Sequence, residues 1–288
     1  MQQPSGKTLI VTGCDENHHE LALDLITSLR DLGLQGTKTA LIDMGETDPP
    51  APLLRAFDLS SKQASGGARF NGLKCSFLSV KSRMPSLFPG FDIYIWLDAD
   101  CWVQNMSAVS ELVDSAQYAD IAIHPELDVH YFQYKNPSDR TIMLYGNLYG
   151  QDVSRQMWRF PMVNSGVFSA RSTSKLWAEW TAAMETLKAR WQRGEDLRFS
   201  DQIPLHFLIH SKRLSMYPLR AVNNWQMYAS LPLIDKEARR LVVPTPPHEE
   251  INIVHLAGLT KQTEYHAGKL QRDLSFKYRD MKKLFSEM

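Results

Sequence analysis

Asp98-Ala99-Asp100 stands directly after the apolar run Ile93-Tyr94-Ile95-Trp96-Leu97. In an extended chain the side chains at i and i+2 point the same way, so both carboxylates converge on one spot. Two like charges held together repel unless a cation lies between them, and carboxylate oxygens suit hard divalent ions. The same pair also serves as solvated loop acids or a helix cap; the buried strand leading into it favours the ion. A second cluster, His255-Leu256-Ala257-Gly258-Leu259-Thr260-Lys261, follows the apolar segment Ile251–Val254. Here an imidazole can complete a metal shell, a glycine admits a phosphate against the backbone, and a lysine supplies positive charge. A lone histidine at a strand end is commonly structural, and its conjunction with Gly258 and Lys261 is what points to a site.

Two quieter signals lie between these clusters. Asn164-Ser165-Gly166 makes a polar corner at the opening of an apolar strand. Its amide and hydroxyl suit sugar hydroxyls, and its composition equally suits a plain turn. Ser200-Asp201-Gln202 opens a helix, either as a simple cap or as a carboxylate and an amide offered to a bound polyol. His206 and His210 have the i, i+4 spacing of a zinc pair. They lack a glutamate beside the first histidine and an evident third ligand, so they read as structural.

The elements that must position these residues follow from hydrophobic period. Thr8–Thr12 reads as a strand, Glu20–Leu32 as a helix and Thr37–Ile42 as a strand, the opening of a parallel α/β sheet. Gly45–Pro52 is turn-rich, Leu59–Gly72 a Ser/Gly-rich loop, and Leu73–Val80 a helix. Ile93–Leu97 has the continuous apolarity of a strand buried on both faces. Val109–Ala116 is expected to be helical and Ile121–Ile123 a strand, and His124–Pro161 is a long, aromatic, aperiodic insertion. Val167–Ser169, Leu214–Pro218 and Ile251–His255 read as strands. Ser174–Arg190, Asp201–His210 and Leu270–Phe285 read as helices. The expectation is one α/β domain, a mostly parallel sheet flanked by helices with inserted loops. Its first half would span 1–123, its second 124–268, and a closing helix 269–288.

Composition narrows the function classes. The 288 residues are 43% hydrophobic and 22% charged, the balance of a folded chain. Lys and Arg number 32 against 32 Asp and Glu, so no basic excess advertises nucleic acid. Cys14, Cys75 and Cys101 cannot all pair and read as reduced thiols of a cytoplasmic protein. No apolar run approaches a membrane span, and Thr8–Thr12 is too short for a signal core. Lys269–Met288 carries six basic and three acidic residues with a stripe of Leu270, Leu274, Tyr278, Met281, Phe285 and Met288. Such a helix packs on its own domain or makes a weak peripheral contact with a membrane surface.

Taken in order, V-T-x-x-D-x-N, L-D-A-D, N-S-G-V-F, D-Q and H-x-x-G-x-x-K resemble the retaining GT-A glycosyltransferases of family eight. That group includes the glycogenins and the bacterial lipopolysaccharide galactosyl- and glucosyltransferases. The resemblance spans Ile10 to Lys261. It implies a GT-A fold and transfer of a hexose from a UDP-sugar to a saccharide, lipid-linked saccharide or protein. It places Thr12, Asp15, Asn17 and His18 at the uracil and ribose, and Lys74 as a basic contact to the donor. Asp98 and Asp100, flanking Ala99, would bind Mn²⁺ or Mg²⁺ with His255 as third ligand, and Gly258 and Lys261 would meet the phosphates. Asn164, Ser165, Asp201 and Gln202 would line the donor sugar, with Asn164, Asp201 and Gln202 on the reacting face. Asn223-Asn224-Trp225 resembles a downstream Tyr-Asn segment. The sequence departs from the family at His18, where a tyrosine is usual, and at Gln262-Thr263, where Pro-Trp is usual. Asp128–Arg159 has no counterpart. A nucleotidyltransferase would instead need a basic glycine-rich loop after the first strand, where Gly13-Cys14-Asp15-Glu16 is acidic. A noncatalytic nucleotide-sugar or carbohydrate-binding protein is the other alternative.

Overall fold

The computed structural model describes residues 6–34, 36–63, 69–70, 73–74, 79–131, 139–197, 200–262, 265–267 and 272–288. Strands that are apolar without a break need cover on both faces, and the chain supplies it. β1 (Thr8–Cys14), β2 (Lys38–Asp43), β3 (Leu59–Lys62), β4 (Ile93–Leu97), β6 (Ile121–Pro125), β7 (Val163–Arg171) and β8 (Met216–Pro218) form one sheet in the order β8-β6-β7-β4-β1-β2-β3. β1 runs parallel to β2 and β4, β2 to β3, and β6 to β8, while β7 lies antiparallel between β4 and β6.

Side-chain alternation divides each central strand between two layers. Leu9, Val11, Tyr94 and Trp96 face Trp177, Trp180, Met184 and Leu187 of α5 (Leu176–Gln192) and Ile203, Leu205 and Leu208 of α6 (Gln202–His210). Ile10, Ile93, Ile95 and Leu97 face Leu25, Ile26 and Leu29 of α1 (His19–Asp31) and Val109, Leu112 and Val113 of α2 (Ser107–Ser115). A smaller sheet of β5 (Cys101–Val103), β9 (Trp225–Gln226) and β10 (Ile253–His255), in the order β9-β10-β5, continues from the end of β4. Its Trp102, Trp225 and Val254 bury Met281 and Leu284 of α7 (Tyr278–Glu287). Arg279 fastens that helix by donating to both carboxylate oxygens of Asp24, each at 3.0 Å. The apolar stripe of the last helix is therefore spent on its own domain. No helix among the described residues is long and apolar enough to cross a membrane.

Several local expectations are corrected. Leu59–Lys62 is an edge strand rather than loop, because it completes a parallel ladder with β2. Leu73–Lys74 pairs antiparallel with Arg69–Phe70 instead of opening a helix, and residues 75–78 lie outside the described residues. The insertion contains α3 (Asp139–Tyr149) and α4 (Gln151–Met157), whose buried Tyr145, Leu148 and Met157 belong to the core. The closing helix begins at Tyr278. Leu274 lies in a short strand, Arg272–Leu274, paired with Tyr265–Ala267, and Lys269 and Leu270 lie outside the described residues.

His206 of α6 is fully buried. Its Nε2 lies 3.0 Å from the Pro161 carbonyl, which can only accept, so Nε2 carries the hydrogen and Nδ1 accepts from the Tyr145 hydroxyl. Burial, then the neighbouring His210, pushes the His206 pKa down from 6.5 to about 3. Because the folded value lies below the unfolded one, this contribution to stability is complete above pH 6.5 and is lost as pH falls through that window. Urea midpoints should drop between pH 6.5 and 5 with a limiting slope of about 1.4 kcal/mol per pH unit from this side chain. In His206→Gln that component of the slope should vanish, and an unchanged slope refutes the assignment.

Candidate active site

The acidic pair sits where β4 ends. Asp98 N–H donates to the Gly166 carbonyl at 2.7 Å, and Cys101 N–H closes a turn onto the Asp98 carbonyl at 2.9 Å. The carboxylates therefore converge through a turn, not through the extended chain that the spacing alone suggests. The turn also leads into β5, whose Cys101 pairs with His255 in β10, and Leu256 N–H bonds the Asp100 carbonyl at 2.9 Å. Backbone pairing thus carries the histidine to the acids across more than 150 residues. His255 Nε2 lies 3.4 Å from Asp100 Oδ1 and 4.0 Å from Asp98 Oδ2.

The Asn-Ser-Gly segment is a bulge inside β7 rather than a corner or turn. Ile123 of β6 pairs with Phe168, but the next residue, His124, pairs with Asn164. The skipped residues swing toward β4, where Val167 pairs with Leu97. At Gly166 a Cβ would lie 2.3 Å from His255 Cε1 and 2.9 Å from Nδ1. Only glycine lets the imidazole lie against this backbone.

Lys81, absent from the sequence-derived site, is central. It follows Val80 in a single 3₁₀ turn, Lys81–Arg83, and is buried. Its Nζ lies 3.0 Å from Asp98 Oδ1 and 3.0 Å from Asp201 Oδ2, and donates to the Ser165 carbonyl at 3.0 Å. Burial by itself lowers its pKa, but the charges of Asp201 and Asp98 outweigh that and raise it, so the ammonium persists. Asp201, preceding α6, also accepts from Ser165 Oγ at 3.1 Å. Lys261 Nζ donates to Asp100 Oδ2 at 3.2 Å and meets His18 Nε2 at 3.3 Å. His18 Nδ1 in turn donates to Asp15 Oδ1 at 2.6 Å, which leaves Nε2 to accept from the lysine. The hydrogen bond from His18 holds the Asp15 pKa below its ordinary value despite partial burial.

These residues line a cavity of ≈ 250 Å³: Gly13, His18, Lys81, Asp98, Ala99, Asp100, Ser165, Ser200, Asp201, Gln202 and Lys261. Of the remaining sequence-predicted residues, His255 lies behind the acids, and Asn164 accepts the Gly166 N–H at 3.0 Å through Oδ1. Gly258 adopts φ +66° at the start of the 3₁₀ turn that carries Lys261, a left-handed conformation that favours glycine. Asn17 N–H donates to Asp15 Oδ1 at 3.1 Å. Thr12 is buried within β1 with its hydroxyl unpartnered, and the neighbouring Gly13 is the residue of that strand that reaches the cavity. The Lys74 side chain lies outside the described residues, as do Phe132 and Tyr134 of the insertion. Tyr145 is buried, Tyr149 stacks on Phe207, and Tyr131 packs edge-on against Trp225.

A hydrogen-bond chain fixes the imidazole. Asn164 Oδ1, already taken by the Gly166 N–H, also accepts from Asn224 Nδ2 at 3.0 Å. Asn224 must then offer Oδ1 to His255 Nδ1 at 2.9 Å, so Nδ1 carries hydrogen and Nε2 faces the acids. Two carboxylates and an imidazole with its far nitrogen tied to an oxygen fit a hard divalent ion. Asp100, Cys101 and His255 also lie within 4.8 Å of one another through their ligand atoms. Burial, and then the charges of Asp100 and Asp98, push the Cys101 thiol well up, which leaves the oxygen and nitrogen donors as the better set.

The arrangement is a GT-A glycosyltransferase fold. The galactosyltransferase LgtC, solved with donor and acceptor sugar analogues, superposes with a TM-score of 0.58 at 12% identity over 97% of this chain and 96% of LgtC. GlyE of Streptococcus pneumoniae gives 0.55 at 15% identity over 98% of this chain and 64% of GlyE. Mouse xyloside xylosyltransferase 1 gives 0.53 at 14% identity over 86% of this chain and 96% of that enzyme. No protein-family profile and no curated protein matches the sequence.

Two measurements test the site. Gly166→Ala should displace the imidazole and weaken Mn²⁺ binding by about 10–100-fold with the fold retained by circular dichroism; wild-type affinity refutes the packing argument. Burial lowers the His255 pKa, but the charge and hydrogen bond of Asp100 together with the charge of Asp98 outweigh that and raise it, so Mn²⁺ binding should release a proton and weaken as pH falls. Calorimetry in two buffers of unequal ionisation enthalpy should reveal that proton in wild type and not in His255→Ala.

Proposed function

We propose that this protein is a metal-dependent, retaining glycosyltransferase of family eight that moves a hexose from a UDP-sugar to a saccharide, lipid-linked saccharide or protein acceptor. The observation that carries the reading is the gathering of Asp98, Asp100, His255, Lys81 and Lys261 around one cavity at the carboxyl end of β4. Asp98, Asp100 and His255 would hold Mn²⁺ or Mg²⁺, which when bound supplies Lewis-acid neutralisation of a diphosphate.

The chain's own residues account for the rest. Breaking the sugar–phosphate bond leaves negative charge on the departing UDP, and Lys261, carried on the turn after Gly258 and lining the cavity, would neutralise it. His18 lines the cavity, and with Asp15, hydrogen-bonded to it, and Asn17 it would receive the nucleoside. Asp201 Oδ2 is already engaged by Lys81 and Ser165, and a carboxylate so occupied is a weak nucleophile. That favours attack from the leaving-group face, with the departing phosphate accepting the acceptor's proton, while Asp201, Gln202 and Asn164 hold the donor sugar. The exposed Trp158 and Phe160 of the 124–160 segment offer aromatic surface suited to the sugar rings of an acceptor. The buried, unpaired Cys14 and Cys101 support a reducing, cytoplasmic setting.

A screen of UDP-sugars should reveal Mn²⁺-dependent release of UDP from one of them. Asp100→Asn should lower that turnover by at least about 100-fold with an unchanged circular dichroism spectrum. Undiminished turnover in the variant, or no UDP release with any sugar and any acceptor extract, overturns the reading.

A further inference from the structure

Glu126 follows β6 and was not singled out by any sequence motif. Its backbone is pinned by a hydrogen bond from its N–H to the Met162 carbonyl at 2.6 Å. Its Oε1 accepts from Asn164 Nδ2 at 3.1 Å and from Gln202 Nε2 at 3.2 Å. The Tyr228 phenol stands beside it, its pKa raised first by burial and then by the Glu126 charge. An ionised carboxylate can only accept, so it dictates which end of each neighbouring amide turns toward it.

The consequence differs for the two amides. Asn164 is fixed twice, because the Gly166 N–H independently claims its carbonyl oxygen. Gln202 lines the cavity and takes its orientation from Glu126 through Nε2, so its carbonyl oxygen is turned away from the carboxylate. With an apolar residue at 126, nothing in this pair distinguishes the two ends of Gln202. The structure thus joins the reacting face to a carboxylate that belongs to neither the acidic pair nor the metal-ligand set.

We propose that Glu126 is a positioning residue that presents the carbonyl, not the NH₂, of Gln202 to the donor sugar and steadies Asn164 in the same act. The inference rests on the sugar-transfer reading for its kinetic consequence and on hydrogen bonding alone for its structural one. Glu126→Gln keeps an oxygen that can accept both bonds, whereas Glu126→Ala keeps none. A carboxylate acting as a base or as a mere charge would be lost equally in both.

The test has a kinetic and a spectroscopic arm. In UDP release from the sugar that the screen identifies, Glu126→Ala should lose about 100-fold in kcat with KM for the donor within about threefold. Glu126→Gln should recover at least tenfold of that loss. Gln202→Met should be impaired by itself, and the double variant Glu126→Ala/Gln202→Met should be no worse, because one residue acts through the other. In ¹⁵N-labelled protein without substrate, the Gln202 side-chain NH₂ signal, assigned by its loss in Gln202→Met, should move in Glu126→Ala and stay near its wild-type position in Glu126→Gln. Equal losses in the Ala and Gln variants, additive losses in the double variant, or an unmoved NH₂ signal would each overturn the proposal. If wild-type protein turns over no UDP-sugar, the function fails separately, and the NH₂ signal still decides the role of Glu126.

Discussion

Three carboxylates, Asp98, Asp100 and Asp201, share one partly buried pocket, and the rest of the site is a response to that concentration of negative charge. Desolvated carboxylates are tolerated only when cations and hydrogen-bond donors face them. Lys81 answers Asp98 and Asp201, Lys261 answers Asp100, and His255 stands against both members of the acidic pair. Burial raises the Asp100 pKa, yet the charges of His255 and Lys261 more than reverse it, so the carboxylate stays ionised. A site already balanced in this way needs little reorganisation when a charged ligand arrives, which is the condition for electrostatic stabilisation of a leaving group.

The fold achieves this balance with backbone rather than with long side chains. β4 delivers the acids, antiparallel pairing between β5 and β10 delivers the histidine, and the bulge in β7 brings Ser165 and Gly166 beneath it. Each contact joins segments distant in sequence, so the geometry is held by sheet hydrogen bonds and by two packed cores on either side. Around this frame the amides of Asn164 and Asn224 form a relay whose donor and acceptor ends are set by one backbone N–H at Gly166. Buried polar chains of this kind are stabilising only when every member is satisfied, and here their direction also fixes the imidazole tautomer.

The same physics explains which errors arise from sequence alone. Leu73–Val80 mixes apolar and polar residues with no clean period of two, and its first residues take up an antiparallel pairing that only a facing strand can supply. The insertion reads as irregular because its apolar positions serve a core on one side and a neighbouring helix, α6, on the other. Tyr145 accordingly meets His206 and Tyr149 meets Phe207. Lys81 carries no local signal at all: a lysine in a short turn is usually solvated, and it becomes buried because two acids from elsewhere in the chain close over it.

What the sequence determined by itself is the parts: a doubly covered strand ending in two aspartates, a histidine-glycine-lysine segment after another strand, and an ordered series of motifs across one α/β domain. Periodicity and spacing record burial and local conformation, and both are properties of neighbouring residues. What only the tertiary structure decided is the pairing of charges and the direction of hydrogen bonds, namely Lys81 between Asp98 and Asp201, Gly166 under His255, and Glu126 across Asn164 and Gln202. Those choices depend on which distant groups lose water together, and no local pattern encodes that.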